Sequence, residues 1–304
     1  MQNDIVLQTK GLKKYFGKVH AVDGVTISVS RGQVYGFLGP NGSGKTTTIG
    51  MILGLLHPTA GSVTLFGERV TPSHTKPLRR VGALVGHPSM VPYLTARQNL
   101  ELLAHLSRDL PSGRVGEILE IVGLREAANQ RAGQFSTGMK QRLGLAMSLL
   151  HKPELLILDE PTNGMDPAGM HEVRNQLSEL ADRGVTVFIS SHLLHEIEQI
   201  CDRVGVLNGG KVITERNVKE LLGETAVVKV RVPSSAEAVR LLQSLPGCRD
   251  IKPNGAYVTV CGVSSQTVVS HLTSQGVVPS EVSTGQSDLE SIFLELTASD
   301  SKEL

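Results

Sequence analysis

Residues 39–47 read Gly39-Pro40-Asn41-Gly42-Ser43-Gly44-Lys45-Thr46-Thr47, and this stretch decides the fold. It fits the pattern G-x-x-x-x-G-K-[ST] and stands between an apolar run that predicts a strand, residues 34–38, and a run that predicts a helix, residues 46–56. The glycines allow the backbone to curl so that successive N–H groups point inward, which makes an anion cradle at a helix N-terminus. We therefore predict that this loop binds the phosphates of a nucleotide.

Two side chains of the loop have separate predicted tasks. Lys45 is expected to reach the β- and γ-phosphates, and the Thr46 hydroxyl is expected to take one coordination position of Mg²⁺. The residues of the loop that we predict to bind the nucleotide are Gly39, Asn41, Gly42, Ser43, Gly44, Lys45, Thr46 and Thr47.

Length and composition exclude several other classes of protein. A chain of 304 residues has room for a large domain and a small one, and its 30 Lys+Arg against 29 Asp+Glu suggest no nucleic-acid partner. Its cysteines, Cys201, Cys248 and Cys261, lack the C-x-x-C spacing of a zinc site, so a reducing cytosol is the expected setting. We see no signal peptide and no run of about 20 apolar residues that could cross a bilayer. Any membrane part is expected to come from another chain.

The first part of the chain, on both sides of the loop, predicts β-strands. The runs 5–7, 25–29 and 63–66 are β-branched and alternating, with glycine-containing turns between them. Tyr15 is predicted on the loop between the first two strands, where its ring could stack on a purine base. Composition alone favours a half-buried loop tyrosine instead.

Residues 88–152 are predicted to be mainly helical. The run Thr95-Ala96-Arg97-Gln98 fits a capping box at a helix N-terminus. Further on, apolar residues recur at helical spacing from Met139 to Leu150. Ser136 and the backbone N–H of Gly138 precede that run, so they are predicted to form a second anion site at a helix N-terminus.

Two later strands are predicted to end in chemically active side chains. The apolar run 155–158 suits a strand buried on both faces of a parallel sheet, and Asp159 and Glu160 follow it. We predict that Asp159 holds Mg²⁺ and that Glu160 orients or deprotonates the attacking water. His192 follows the strand predicted at 185–189, where it could polarise the γ-phosphate or hold the water.

Beyond Gly223 these motifs stop and a second pattern begins. Strands at 226–232, 248–252, 256–261 and 277–282, with helices around 238–245 and 266–274, give the order β-α-β-β-α-β of a ferredoxin-like domain. A last helix is predicted around Leu289, Ile292, Phe293 and Leu296. We expect a regulatory or dimer-supporting role for this part.

From about Leu7 to Leu222 the chain resembles the ATP-binding cassette (ABC) family. Residues 39–47 look like its Walker A loop, 155–160 like Walker B with the catalytic glutamate, 135–139 like its signature, 163–166 like its D-loop and His192 like its switch histidine. The resemblance gives Tyr15 the adenine-stacking role. The run 161–167 and the Gly-Met ending of the signature look most like the ATPase subunits of ABC-2-type exporters, such as those for antibiotics and lipids.

This resemblance implies an α/β fold. Residues 1–222 would form a P-loop ABC ATPase core with an antiparallel β subdomain and a helical subdomain at about 88–152, and residues 223–304 a small accessory α+β ferredoxin-like domain. It also implies Mg-ATP hydrolysis in a dimer of cassettes, most simply a homodimer, with Lys45, Glu160 and His192 as catalytic residues. The dimer would drive export through a separate membrane permease that contacts Gly86–Thr95 on the cytoplasmic face of the membrane.

One position departs from the family pattern. The family usually places Gln or Glu where this chain has Gly86, followed by His87, and glycine offers no side-chain ligand. Either His87 substitutes, or water fills the gap, or turnover is slowed. The alternative functions are a non-transport ABC-type ATPase and an ATP-gated interaction module with weak hydrolysis. A single cassette without long heptad repeats disfavours the ribosome-associated and repair members of the family.

Overall fold

A computed structural model describes residues 4–106, 110–224 and 227–285. The chain divides into two compact units, one ending at Glu215 and the other beginning at Arg216. The domain boundary predicted after residue 222 falls within the helix that spans Val218–Glu224. In the described ranges, no helix combines the length and the apolar character that a bilayer crossing requires.

The first unit contains ten of the described strands and the second contains four. The strands are β1 Ile5–Phe16, β2 Val19–Ser30, β3 Val34–Leu38, β4 Ala60–Leu65, β5 Glu68–Arg69, β6 Val81–Leu84, β7 Leu155–Asp159, β8 Thr186–Ser191, β9 Arg203–Asn208, β10 Lys211–Asn217, β11 Val227–Arg231, β12 Arg249–Asn254, β13 Tyr257–Cys261 and β14 Glu281–Gly285.

The described α-helices lie between these strands, singly except for a run of three between β6 and β7. They are α1 Lys45–Ile52, α2 Ala96–Leu106, α3 Arg114–Ile121, α4 Thr137–Leu149, α5 Pro167–Asp182, α6 Leu194–Ile200, α7 Val218–Glu224, α8 Ser235–Gln243 and α9 Ser265–Ser274.

The larger sheet of the first unit has six strands in the order β10-β9-β3-β8-β7-β6. Strands β3, β7 and β8 run parallel, and every residue of the three is buried, as expected of strands covered on both faces. Their carboxyl ends therefore lie at one edge of the sheet, followed in turn by the loop before α1, by Glu160 and by His192. This confirms the predicted α/β fold and the predicted buried strand at 155–158.

A second sheet of the first unit is antiparallel, in the order β2-β1-β4-β5. Strand β1 continues to Phe16, far beyond the short strand predicted at 5–7, because its later residues still pair with β2. Tyr15 pairs with His20 and Phe16 with Val19. The predicted loop position of Tyr15 is therefore wrong, since the residue lies within a strand of a long hairpin.

The helical segment of the first unit begins with the predicted capping box. Thr95 Oγ1 accepts a hydrogen bond from Gln98 N at 3.1 Å, and Gln98 Oε1 accepts one from Thr95 N at 3.0 Å. These reciprocal bonds satisfy backbone donors at the start of α2. Helices α3 and α4 follow, and α4 contacts β6 of the parallel sheet.

The second unit has the predicted β-α-β-β-α-β order. Its antiparallel sheet runs β12-β13-β11-β14, and α8 and α9 pack against one face of it. The last strand is β14 at Glu281–Gly285 rather than 277–282, because Val277 closes the end of α9 with its N–H bonded to Leu272 O. The helix predicted around Leu289 lies outside the described residues.

Candidate functional site

The loop between β3 and α1 packs so closely that two of its residues must be glycine. Gly44 has φ +105°, and a Cβ there would lie 2.4 Å from Ala21 O. A Cβ on Gly39 would lie 2.4 Å from Leu207 O. Real Cβ atoms do not approach oxygen this closely, so the predicted glycines are required by the packing of the loop itself.

Lys45, the first residue of α1, turns its ammonium back over this loop. Its side chain is 4% exposed, and Nζ donates to Gly39 O at 2.7 Å and to Pro40 O at 3.2 Å. Glu160 Oε1 lies 3.1 Å from the same nitrogen. A buried cation is thus held at the centre of the loop, where a bound phosphate would meet it.

The remaining loop residues differ in exposure. Ser43 is 3% exposed, and its Oγ has no hydrogen-bond partner in the part of the chain that the structure describes. A buried hydroxyl without a partner is rare in folded proteins, and a phosphate oxygen would satisfy it. Asn41 and Gly42 are exposed at the tip of the loop, and Thr47 is half-buried behind it.

Thr46 and Asp159 meet across the gap between α1 and the end of β7. Thr46 Oγ1 donates to Asp159 Oδ2 at 2.8 Å, and Asp159 is 6% exposed. Asp159 Oδ1 accepts a hydrogen bond from Ser190 Oγ. A hydroxyl oxygen and a carboxylate oxygen are the hard ligands that Mg²⁺ prefers, so this pair fits that ion.

Glu160 contacts residues that follow the other two parallel strands, Lys45 beyond β3 and His192 beyond β8. It directly follows β7 with φ +48°, the left-handed region that favours glycine. Its Oε2 lies 3.1 Å from His192 Nδ1 and 3.4 Å from Asn163 Nδ2, while its Oε1 faces Lys45. The Glu160 carboxylate therefore contacts both of the other predicted catalytic residues, Lys45 and His192.

Ser136 and Gly138 lie at the start of α4. Ser136 caps α4 with its Oγ accepting a hydrogen bond from Met139 N at 3.2 Å, and a Cβ on Gly138 would meet nothing closer than 4.0 Å. Among the described residues, no hydrogen bond or ion pair connects either residue to Lys45, Asp159, Glu160 or His192. The second predicted anion site is thus a helix N-terminus that makes no polar contact with the first among the described residues.

The two aromatic residues of the β1–β2 hairpin point to opposite sides of it. Tyr15 stacks on His20 with ring centroids 4.0 Å apart, and its hydroxyl donates to Asp23 Oδ1 at 2.9 Å. Phe16 is 49% exposed and lies on the side of Lys14, whose Nζ is 5.0 Å from its ring centroid.

The side occupied by Phe16 is the side of the phosphate-binding loop. Lys14 pairs with Val22, and Val22 Cγ2 would be 3.3 Å from a Cβ on Gly44. The contact with Lys14 places the Phe16 ring on the side of Lys14, whereas Tyr15 contacts Asp23 on the opposite side, together with Lys13. Sequence analysis missed Phe16 because two adjacent aromatics in a presumed loop carry no signal of direction.

Gly86 lies just beyond β6 with φ +66°, and apart from its chain neighbours no described residue comes within 4 Å of where its Cβ would stand. His87 beside it is exposed. The rest of the predicted permease segment is exposed or half-buried, with Tyr93 73% exposed. Asn99 is buried on α2 and binds the backbone of Val91 in this segment. Its Oδ1 accepts a hydrogen bond from Val91 N at 2.8 Å, and its Nδ2 donates one to Val91 O at 3.1 Å. No pattern in the sequence indicates that role for Asn99.

Comparison with known proteins assigns the sequence that contains this site to one family. The family model described as ABC transporter matches residues 22–163. The bacitracin transport ATP-binding protein BcrA of Bacillus licheniformis is 49% identical over 211 residues, which cover 69% of each chain. The daunorubicin resistance ATP-binding protein DrrA3 of Streptomyces coeruleorubidus is 35% identical over 307 residues, covering 98% of this chain and 97% of the relative.

Solved structures agree with these sequence relationships. A dimeric ATP-binding cassette in a post-hydrolysis state with ADP and phosphate has a TM-score of 0.63 at 27% identity, covering 70% of this chain and 98% of that one. The cbiO1 subunit of a Clostridium perfringens ABC transporter complex has a TM-score of 0.67 at 28% identity, covering 80% and 96%. The chain therefore belongs to the ABC transporter family, as one of its ATP-binding subunits with ATPase activity.

Proposed function

We propose that this chain hydrolyses Mg-ATP in a dimer of cassettes and thereby drives export through a separate membrane permease. The observation that carries the proposal is the Glu160 carboxylate, which contacts Lys45 through Oε1 and His192 through Oε2. A phosphate-binding cation, a base and a polar orienting group thus surround one point at the edge of the parallel sheet.

The chemistry follows from this arrangement. Lys45 binds the phosphates, and because they compete for its ammonium, the Glu160 carboxylate becomes available to the attacking water. Glu160 takes a proton from the attacking water while the water oxygen forms a bond to the γ-phosphorus. The bond between the γ-phosphorus and the β–γ bridging oxygen breaks, and ADP is the leaving group. His192 orients Glu160 and the γ-phosphate. Thr46 and Asp159 would hold Mg²⁺, which when bound neutralises charge on the phosphate oxygens.

The open helix N-terminus at Ser136 and Gly138 supports the dimer. Neither residue is connected to the Lys45 site of its own chain, yet both present donors suited to an anion. We infer that they bind the γ-phosphate held by a second copy of this chain, so that two ATP molecules lie between two cassettes. The dimeric relative with ADP and phosphate supports this arrangement.

The exposed segment 86–95 is the proposed contact with the permease at the cytoplasmic face of the membrane. Relatives named for bacitracin transport and for daunorubicin resistance favour export of an antimicrobial compound. Hydrolysis should not depend on a side chain at position 86, because Glu160, His192 and Lys45 already form a connected group without one.

For the adenine base we propose Phe16 as the stacking platform in place of Tyr15. The Tyr15 ring and hydroxyl already contact His20 and Asp23, on the side of the hairpin away from Gly44. Phe16 keeps an exposed ring on the side of the loop. Base–aromatic stacking needs such an accessible face.

Mg²⁺-dependent ATP hydrolysis by the purified chain, measured against protein concentration, tests the proposed function. If two cassettes share each ATP, the rate per chain should rise with concentration and level off as the dimer forms. A rate per chain that is independent of concentration would contradict the shared site, and ATP binding without any turnover would contradict the enzyme.

A further inference from the structure

Ser190, on β8, contacts both acidic residues of the candidate site, Asp159 and Glu160. It is completely buried, and it is the register partner of Asp159 in the parallel pairing of β7 with β8. Its hydroxyl donates to Asp159 Oδ1 at 2.5 Å and accepts from Glu160 N at 3.1 Å. One hydroxyl group thus contacts the side chain of one acidic residue and the backbone of the next.

The first contact fixes how the Asp159 carboxylate is turned. Its two oxygens accept from two hydroxyl groups, Oδ1 from Ser190 and Oδ2 from Thr46. Thr46 is itself a proposed metal ligand, so its hydroxyl is shared between Asp159 and the ion. Ser190 is not a proposed metal ligand, and its hydroxyl holds Oδ1 so that Oδ2 faces Thr46.

The second contact supports the backbone of Glu160. This residue has φ +48°, a backbone conformation that residues other than glycine rarely adopt. Its N–H is shared between Ser190 O and Ser190 Oγ, each at 3.1 Å. If the Ser190 hydroxyl were removed, the Glu160 N–H would keep the Ser190 carbonyl as its partner, so the turn should still form. Asp159 Oδ1 would lose its hydrogen-bond donor.

We propose that Ser190 is a positioning residue that orients Asp159 for the divalent cation of the nucleotide site. This rests on the proposed function, because it presumes that Thr46 and Asp159 hold the ion. The adjacent Ser191 offers a matched control, since it is also buried but its hydroxyl donates to Glu196 Oε2 at 2.8 Å and accepts from Leu193 N at 2.9 Å.

Binding of Mn²⁺ to the full chain with ADP, followed by electron paramagnetic resonance, tests this role. Groups that orient a metal ligand typically change metal affinity by roughly 10- to 100-fold, so Ser190→Ala should weaken Mn²⁺ binding by about 10-fold or more. Binding of ADP in the presence of a chelator should be unchanged. Ser191→Ala should keep the wild-type affinity for Mn²⁺.

Ser190→Cys gives a second, nearly isosteric variant whose thiol is only a weak donor, and it should fall between wild type and Ser190→Ala. If Ser190→Ala does not fold, the Mn²⁺ affinity of Ser190→Cys tests the proposed role of Ser190 instead. Wild-type Mn²⁺ affinity in the folded variants would overturn this inference alone. Failure of the wild-type chain to bind Mn²⁺ with ADP would overturn the proposed function as well.

Discussion

Lys45 Nζ lies 3.1 Å from Glu160 Oε1, so the cation proposed to bind phosphate and the carboxylate proposed to activate water form an ion pair. The two side chains are 4% and 20% exposed, and little solvent screens them from one another. Because a bound phosphate would compete with Glu160 for the same ammonium, nucleotide binding and release of the catalytic carboxylate are one event. This coupling leads to predictions for both residues.

Lys45→Ala should weaken ATP binding by at least about 10-fold, because it removes charge-assisted hydrogen bonds worth about 1.5–3 kcal/mol. Titration with a fluorescent ATP analogue measures the effect. Lys10→Ala is a suitable control, since Lys10 is an exposed lysine on β1. Equal ATP affinity in the Lys45 and Lys10 variants would exclude Lys45 as the phosphate-binding cation.

Phe16→Ala and Tyr15→Ala should differ in their effects on nucleotide affinity. Stacking of a base on an aromatic ring is worth about 1–3 kcal/mol, so loss of the exposed Phe16 ring should weaken ATP binding by roughly 5-fold or more. Tyr15→Ala should instead lower the thermal stability, because it removes the stacking on His20 and the hydrogen bond to Asp23. Calorimetric titration with ATP compares the two. The reverse ranking of affinities would restore Tyr15 as the stacking residue.

The stability of the protein in acid should depend on Glu154. Hydrogen bonds from Arg80 and then from Arg31 lower the pKa of its carboxyl from the ordinary 4.5 to about 2. A carboxyl with a lower pKa in the folded state contributes stability that is complete above pH 4.5 and is lost as the pH falls toward 2. The side chain is 40% exposed, so solvent screening keeps this contribution small.

The Glu154 contribution can be isolated with Glu154→Gln. Chemical unfolding of both proteins between about pH 7 and about pH 3 should show that the wild-type advantage shrinks on acidification. An advantage that stays constant over this range would mean that the two arginines do not stabilise the ionised carboxylate.

Much of the fold and of the site could be predicted because the relevant signals are local. The glycine-rich loop, the apolar run ending in Asp159 and the position of His192 each identify a strand end, and parallel strands bring such ends together. The β-α-β-β-α-β order of the second unit likewise follows from alternating and helical periodicities.

Other features depend on side-chain direction, which residue type alone does not reveal. The hairpin of β1 and β2 extends through polar residues by pairing between strands, so Tyr15 was misplaced on a loop and Phe16 was overlooked. In the run Ser190-Ser191-His192, nothing in the sequence distinguishes the serine that contacts Asp159 from its neighbour. The catalytic role of Glu160 could be predicted from its position after the apolar run. Its ion pair with Lys45 could not, because the two residues are far apart in the sequence.

Phosphate release by Glu160→Gln, measured alongside its ATP-dependent dimer formation by light scattering, tests the central claim most directly. The amide cannot take a proton from water and does not pair with the Lys45 ammonium as a carboxylate does. We predict tight ATP binding, a stable ATP-bound dimer and hydrolysis reduced by about 10²-fold or more. Hydrolysis at the wild-type rate in this variant would contradict the assignment of Glu160 as the base.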